Sequence, residues 1–94
     1  MPRKGYVYIL TSSNNRVLYI GVTSNLERRI FQHKNKDKPG SFSAKYKVTK
    51  LIYYEEFDSI VEAISREKYL KGKKRSFKEE LINGVNPDWE DYYK

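Results

Sequence analysis

The chain has 94 residues, enough for one domain with a modest core and too few for a second domain. It contains no cysteine, so disulfides and thiolate metal sites are excluded. No apolar run is long enough to span a membrane, and no signal pattern opens the sequence, so we expect a cytoplasmic protein.

The charge distribution indicates a polyanionic partner. Nineteen Lys and Arg against twelve Asp and Glu give a net charge of +7. The excess is concentrated in residues 28–50, with eight Lys or Arg and one acid, and in residues 66–78, with seven and one. Such segments suit contacts to phosphates, which release counterions on binding, although a basic charge can also serve solubility alone.

The first elements in the chain are a predicted β-hairpin. Residues 6–10 and 17–22 are rich in β-branched and aromatic residues, and turn-forming residues separate them. A loop at 12–15 would place Tyr8 opposite Tyr19 and Tyr6 opposite Gly21, with all four on one face. The other face would carry the core positions Val7, Ile9, Leu18 and Ile20.

A helix, a loop and a third strand are predicted next. Residues 24–27 form a capping-box pattern opened by Ser24, after which Leu26 and Ile30 begin an inward stripe. Arg29 and His33 lie one turn apart beside that stripe. Residues 34–47 are polar and contain Pro39-Gly40, which predicts a mobile loop, and residues 48–57 predict the strand.

Two further helices complete the predicted fold. Capping boxes opened by Ser59 and Ser76 begin them, Gly72 is the expected end of the first, and the second should end near residues 83–84. The expected inward positions of the first of these helices are Ile60, Ala63, Ile64 and Glu67. Trp89 in the turn-like tail should pack on the body. The order ββαβαα predicts an α/β (α+β) fold, a three-stranded antiparallel sheet flanked by helices, in a single domain over residues 1–94.

Phosphodiester cleavage needs a nucleophilic water, relief of the charge developing on phosphorus and a stabilised leaving oxygen. Tyr8 and Tyr19, Arg29, and Glu67 come from three parts of the chain and could serve these needs. Each also has an ordinary explanation. A tyrosine pair on a sheet is commonly packing, an arginine can form a surface ion pair, and Glu67 can bridge to Lys71 within a helix.

The spacing of these residues resembles that of the GIY-YIG nuclease domain. The resemblance rests on Gly5-Tyr6-Val7-Tyr8, on Tyr19-Ile20-Gly21 and on the arginine eight residues after Gly21, with Arg66-Glu67-Lys68 and the segment around Asn86 and Trp89 later in the chain. The resemblance covers almost the whole sequence. The chain is similar to the small stand-alone bacterial members of the family and to the N-terminal domain of an excinuclease. The resemblance implies an endonuclease acting on nucleic acid, DNA rather than RNA, in a setting of DNA repair or recombination.

The resemblance also implies roles for individual residues. Tyr8 would be the general base and Tyr19 its partner, Arg29 would bind the scissile phosphate, and His33 would assist proton transfer. Glu67 would hold one Mg²⁺ or Mn²⁺, an ion that keeps several waters and shares substrate phosphate. Gly21 and Asn86 would support the site. The remaining expected contacts to nucleic acid come from the cationic segments and are Arg28, Lys34, Lys45, Lys71, Lys73, Lys74 and Arg75.

The sequence departs from the family pattern at two positions. Tyr6 occupies the glycine position of the first motif, and Val22 stands where several members have a lysine that helps deprotonate the tyrosine. An unperturbed tyrosine, with a pKa of about 10, is a poor base at neutral pH. Activity is therefore expected to be weak unless Arg29, His33 or the metal lowers that pKa.

Two other functions fit the sequence. A nucleic-acid-binding module without catalysis would explain the charge and the small size, although binding alone does not require Glu67. A protein-interaction domain is permitted by the tyrosine-rich surface formed by Tyr6, Tyr53, Tyr54, Tyr92 and Tyr93. Oligomeric state is not readable from the sequence.

Overall fold

The computed structural model describes residues 3–35 and 45–93. Within them the chain forms three strands and three helices in the predicted order ββαβαα. These are β1 (Gly5–Ser12), β2 (Leu18–Thr23), α1 (Leu26–Lys34), β3 (Val48–Phe57), α2 (Ile60–Lys71) and α3 (Arg75–Val85). The strands form one antiparallel sheet in the order β2-β1-β3, so the predicted fold class is confirmed.

The predicted hairpin register is wrong by two residues. Tyr8 pairs with Gly21, Leu10 pairs with Tyr19, and Tyr6 pairs with Thr23. The loop begins one residue later than predicted, because Ser12 still belongs to β1 and its backbone N–H donates to the carbonyl of Val17. A shift of two residues keeps every side chain on its predicted face, because side chains alternate with a period of two.

Both faces of the sheet are buried, each in its own cluster. On one face Val7, Ile9 and Ile20 pack with Ala63 of α2, and Leu70, Ile82 and half-buried Trp89 join this cluster. On the other face Tyr8, Leu10, Val48 and Leu51 pack with Ile30 of α1. The core positions predicted for the hairpin and the docking of Trp89 are confirmed, and α1 lies on the opposite layer from α2 and α3.

Local features explain how the helices begin and end. The Oδ1 atom of Asn25 accepts a hydrogen bond from the backbone N–H of Arg28, so Asn25 and not Ser24 caps α1. Ser59 caps α2 as predicted, and the helix ends before Gly72. The capping box predicted at Ser76 is wrong, because α3 begins at Arg75 with Lys74 at the cap position and no side-chain cap bond. The helix runs on to Val85.

Helix α2 approaches the sheet closely at its first turn. A Cβ atom at Gly5 would lie 2.6 Å from the Cβ of Ala63 and 2.8 Å from the Cα of Ile60, so only glycine fits at the start of β1. Ile64 is 38% exposed, so its predicted inward position is wrong. Leu70 takes its place, because the buried stripe passes through Ala63 and Leu70.

Most of the loop predicted over residues 34–47, including Pro39-Gly40, lies outside the described residues. At its described ends the prediction is wrong, because Lys34 belongs to α1, and Lys45 and Tyr46 are helical. Across the ranges 3–35 and 45–93, no helix is long and apolar enough to cross a membrane.

Candidate active site

Three rings meet on the α1 face of the sheet. The ring centroids of Tyr8 and Tyr19 are 6.2 Å apart, and the His33 ring lies 5.8 Å from the first and 5.5 Å from the second. The hydroxyl of Tyr8 and Nε2 of His33 are 3.1 Å apart, within hydrogen-bonding distance. Because Tyr8 and Tyr19 are diagonal rather than directly paired, the two rings make room for the imidazole of α1.

Gly21 is part of this arrangement because the ring of Tyr8 covers it. A Cβ atom built on Gly21 would lie 2.3 Å from both Cζ and the hydroxyl oxygen of Tyr8. Any side chain at position 21 would displace the ring. The glycine of the second motif therefore sets the position of the first motif's tyrosine across the hairpin.

Tyr8 is fully buried, and its pKa is raised above the ordinary tyrosine value. Burial is the largest cause, since it disfavours the phenolate, and the neighbouring Tyr19 adds to it. The positive charge of Arg29 and a hydrogen bond from its guanidinium oppose both effects and lower the pKa. Arg29, one of the three groups named from the sequence as able to lower the pKa of Tyr8, does lower it, but by less than burial raises it.

Arg29 also borders a polar hollow at the N-terminal end of α1. This hollow has a volume of about 270 Å³ and is lined by Arg28, Arg29, Gln32 and the residues from Thr23 to Asn25. Two guanidinium groups beside a helix N-terminus form an electropositive surface suited to a phosphate group.

Glu67 lies on the inward stripe of α2, between Ala63 and Leu70, and its side chain is only 14% exposed. Its carboxylate forms an ion pair with Lys71 at 3.2 Å. Because α2 packs on the face opposite Tyr8, the carboxylate and the tyrosines can meet only around β2, the edge strand that α2 also contacts. That Glu67 faces the same depression as Tyr8 and Tyr19 stays a prediction.

The donor atoms near Glu67 bear on which ion could bind. Within the described part of the chain, no group of three or more His, Cys, Asp or Glu residues comes together. A single carboxylate does not make a zinc site, but it fits Mg²⁺, which takes its remaining ligands from water and substrate phosphate. An ion there would compete with the ammonium of Lys71.

The predicted cationic contacts divide into exposed and engaged groups. Lys73 lies over the ring of Tyr69 at 4.7 Å, Lys45 lies over Tyr46 at 5.5 Å, and Lys74 is exposed at the start of α3. Arg75 instead bonds to Glu79 and to the backbone carbonyls of the hairpin loop, so it ties α3 to the sheet. Lys71 is held by Glu67.

Two predicted residues have bonding that is structural. Lys34 donates to Asp91 and to the carbonyl of Thr49, which links the end of α1 to β3 and the C-terminal segment. The Nδ2 atom of Asn86 donates to the carbonyls of Ile52 and Glu90, and its Oδ1 atom accepts from the Glu90 backbone. Asn86 is buried with its amide occupied, so it anchors that segment.

One polar cluster was not anticipated from the sequence. Arg66 donates from Nε and from Nη2 to the two carboxylate oxygens of Glu55, and the Tyr53 hydroxyl donates to the same carboxylate. This cluster ties α2 to β3 immediately before Glu67. The sequence carried a signal for this cluster, namely a strand of alternating residues with acids near its end, followed by a helix that carries an arginine.

Comparison with known proteins agrees with this geometry. Residues 4–80 match the family model described as the GIY-YIG catalytic domain. A UPF0213 protein of Clostridium perfringens is 41% identical over 93 residues, covering 95% of this chain and 94% of that protein. A UPF0213 protein of Streptococcus pneumoniae is 39% identical over 83 residues, covering 88% and 82%. The solution NMR structure of the UPF0213 protein BH0048 from Bacillus halodurans superposes with a TM-score of 0.59 at 28% identity, covering 97% of this chain and 95% of that one.

The matched range contains both tyrosines, Arg29, His33 and Glu67. The Bacillus halodurans structure supports the fold, and the family model and the relatives support the family over most of the chain. The chain belongs to the GIY-YIG catalytic domain family, with UPF0213 proteins among its relatives.

Proposed function

We propose that this protein is a metal-dependent endonuclease that hydrolyses phosphodiester bonds of nucleic acid, DNA rather than RNA. The observation that carries the proposal is the contact between Tyr8, Tyr19 and His33, with the Arg29 guanidinium acting on the Tyr8 hydroxyl. Membership in a nuclease family supports the same reaction class.

The proton path is proposed to run through Tyr8 and His33. With burial raising its pKa, Tyr8 is protonated at neutral pH. It can take a proton from the attacking water only if its own proton moves on. The distance of 3.1 Å supports Nε2 of neutral His33 as the acceptor. The positive charge of Arg29 stabilises the phenolate that forms between the two transfers.

The phosphate is proposed to bind at the hollow beside α1. Arg29 borders both that hollow and the Tyr8 hydroxyl, so a phosphate held by Arg28 and Arg29 would lie next to the proposed base. Glu67 would hold the divalent ion, which supplies charge neutralisation to the phosphate oxygens. Lys73 and Lys74 would contact the backbone farther along, without reading sequence.

A cleavage assay with and without divalent metal tests the proposal. Single-stranded, duplex and branched DNA, and RNA, are incubated with protein in Mg²⁺, in Mn²⁺ and in a chelator, and products are resolved by length. We expect internal cuts that require the metal. Absence of metal-dependent products on every substrate would reject the enzyme.

A nucleic-acid-binding module without catalysis is the second candidate. Two observations favour it: burial of Tyr8 raises its pKa, and Glu67 is paired with Lys71. Such a protein would bind DNA with an affinity that falls steeply between low and moderate salt, since phosphate contacts release counterions. Salt-sensitive binding without cleavage would therefore establish this candidate in place of the first.

A further inference from the structure

A groove lies beside β3, between α1, the end of α3 and the C-terminal segment, and its volume is about 650 Å³. We call it the tyrosine groove, and its walls include Tyr53, Tyr54, Tyr92, Tyr93, Val85 and Glu27. Tyr54, Tyr92 and Val85 are 48%, 47% and 64% exposed. A volume within the range of ligand sites, with exposed aromatic and aliphatic walls, indicates a binding surface rather than core.

The tyrosine groove is separate from the candidate active site. On α1 the buried stripe of Leu26 and Ile30 runs between two flanks, since successive residues turn by about 100° around a helix. Arg29 and His33 lie on the flank toward Tyr8, whereas Glu27 lies on the flank that lines the groove. A molecule in the groove therefore meets β3 and the opposite side of α1.

The charge of the groove disfavours a phosphate-bearing occupant. Although the chain carries +7, the described residues that line the groove include no Lys or Arg and one carboxylate, Glu27. A neighbouring hollow of about 430 Å³ shares Leu26, Glu27 and Tyr54 and adds Glu56, which Lys4 pairs at 3.1 Å. The ammonium of Lys34 lies 5.9 Å from the ring centroid of Tyr93, but its charge is balanced by an ion pair with Asp91.

We propose that the tyrosine groove binds a short amphipathic cationic segment of a protein partner. Aliphatic side chains of that segment would fill the space between Leu26, Tyr54 and Val85. Its Lys or Arg side chains would lie against the tyrosine rings and beside Glu27, where cation–π and ionic attraction act together. Tyrosine suits such a surface because it offers a large contact area with little entropy to lose. The inference does not depend on nuclease activity.

Binding is tested by NMR on ¹⁵N-labelled protein. The probe is a short capped peptide alternating leucine and lysine, and the comparison probes are its leucine–glutamate counterpart and a short oligothymidylate. We expect the lysine peptide to shift the amides of Leu26, Glu27, Val85 and Tyr92, and the other two probes to leave them unchanged. The oligothymidylate should instead shift residues near Arg29 and Lys73.

Two matched pairs of variants locate the contact. Val85→Lys introduces into the groove a charge of the same sign as the peptide's, and it should weaken binding of the lysine peptide by about tenfold. Val61→Lys, at an equally exposed valine of α2, should leave its affinity unchanged. Glu27→Gln should weaken it about threefold to fivefold, and Glu62→Gln should have no effect. Spectra of all four should keep wild-type dispersion, which excludes misfolding.

Four outcomes overturn the proposal. The lysine peptide gives no shifts, or its shifts scatter over the surface. Val61→Lys matches Val85→Lys in effect. The oligothymidylate shifts the groove amides, which would make the occupant a nucleic acid. The same amides shift on raising protein concentration alone, which would make the occupant a second copy of the chain.

Discussion

Two groups of tyrosines in this molecule differ in what surrounds them. Tyr8 and Tyr19 lie with His33 and Arg29. His33 is a base that can receive a proton from a hydroxyl, and Arg29 is a cation that can stabilise the negative charge left behind. The rings of Tyr54 and Tyr92 meet edge to face at 6.1 Å, half exposed, beside Glu27 and without a lining cation among the described residues. We therefore propose chemistry for the first group and contact for the second, because their neighbours differ.

Burial contributes to the same distinction. The Tyr8 hydroxyl is enclosed, so its partners are fixed, and any proton that leaves it must go to a specified atom. The hydroxyls of exposed tyrosines exchange partners with water. An active site needs fixed partners for its proton transfers, whereas a docking surface needs accessible area.

The largest expected effect comes from Tyr8→Phe. Removing the hydroxyl removes the proposed base, so single-turnover cleavage should fall by about 10³-fold. Tyr54→Phe, the matched change among the groove tyrosines, should leave cleavage unaltered. Equal rates for Tyr8→Phe and wild type would show that Tyr8 is only a packed ring, and the distinction between the two groups would then fail.

Glu67→Gln should lower cleavage in magnesium by about 10²-fold, because one strong electrostatic interaction typically contributes about 2.7–4 kcal/mol. The shape of the side chain is kept, so the free energy of unfolding should change little. Glu62→Gln on the exposed side of α2 is the control. Unfolding of Glu67→Gln would instead identify the Glu67–Lys71 ion pair as structural.

Gly21→Ala tests whether the glycine holds the ring of Tyr8 in place. The added methyl would lie 2.3 Å from the Tyr8 ring, which cannot move without disturbing the core, so stability should fall by about 1–3 kcal/mol. Gly84→Ala in α3 is the matched change, since its Cβ would meet no atom within 4 Å. It should raise stability by up to about 1 kcal/mol. Urea denaturation of both proteins gives the comparison, and equal stability of Gly21→Ala and wild type would refute the steric role.

Whether Glu67 reaches the tyrosines around β2 can be measured by a double-mutant cycle. Tyr19→Phe and Glu67→Gln, alone and together, should give a coupling energy in cleavage of at least about 0.5 kcal/mol if the two groups share a site. Strict additivity would mean that the carboxylate acts elsewhere, and the single-site proposal would be wrong.

The smallest expected effect concerns pH and Tyr53, whose hydroxyl donates to Glu55 in the cluster with Arg66. Burial and then Glu55 raise the pKa of Tyr53 to about 12, although Arg66 opposes them. Because the folded pKa exceeds the unfolded value of about 10, the stability that protonated Tyr53 contributes is fully present below pH ~10. It is lost as the pH rises toward 12. Tyr53→Phe should therefore lose less stability than wild type between about pH 10 and 12. Identical slopes in urea titrations would contradict this.

Patterning in the sequence was sufficient for the fold and for part of the site. Alternation placed Tyr8 and Tyr19 on one face, and helical spacing placed Arg29 and His33 one turn apart on the same side of α1. A register error of two residues did no damage, because faces alternate every residue. The spacing could not show that α2 packs on the layer opposite Tyr8, since layer assignment depends on tertiary packing. For the same reason the sequence did not show that Lys34 and Asn86 bond the C-terminal segment.

The single tryptophan provides optical access to this two-sided sheet. Trp89 is half-buried against the Val7 face, and its indole N–H donates to Asn83 at 2.7 Å. Its fluorescence therefore reports on the α2 and α3 layer alone. Loosening of this layer can thus be followed in unlabelled protein.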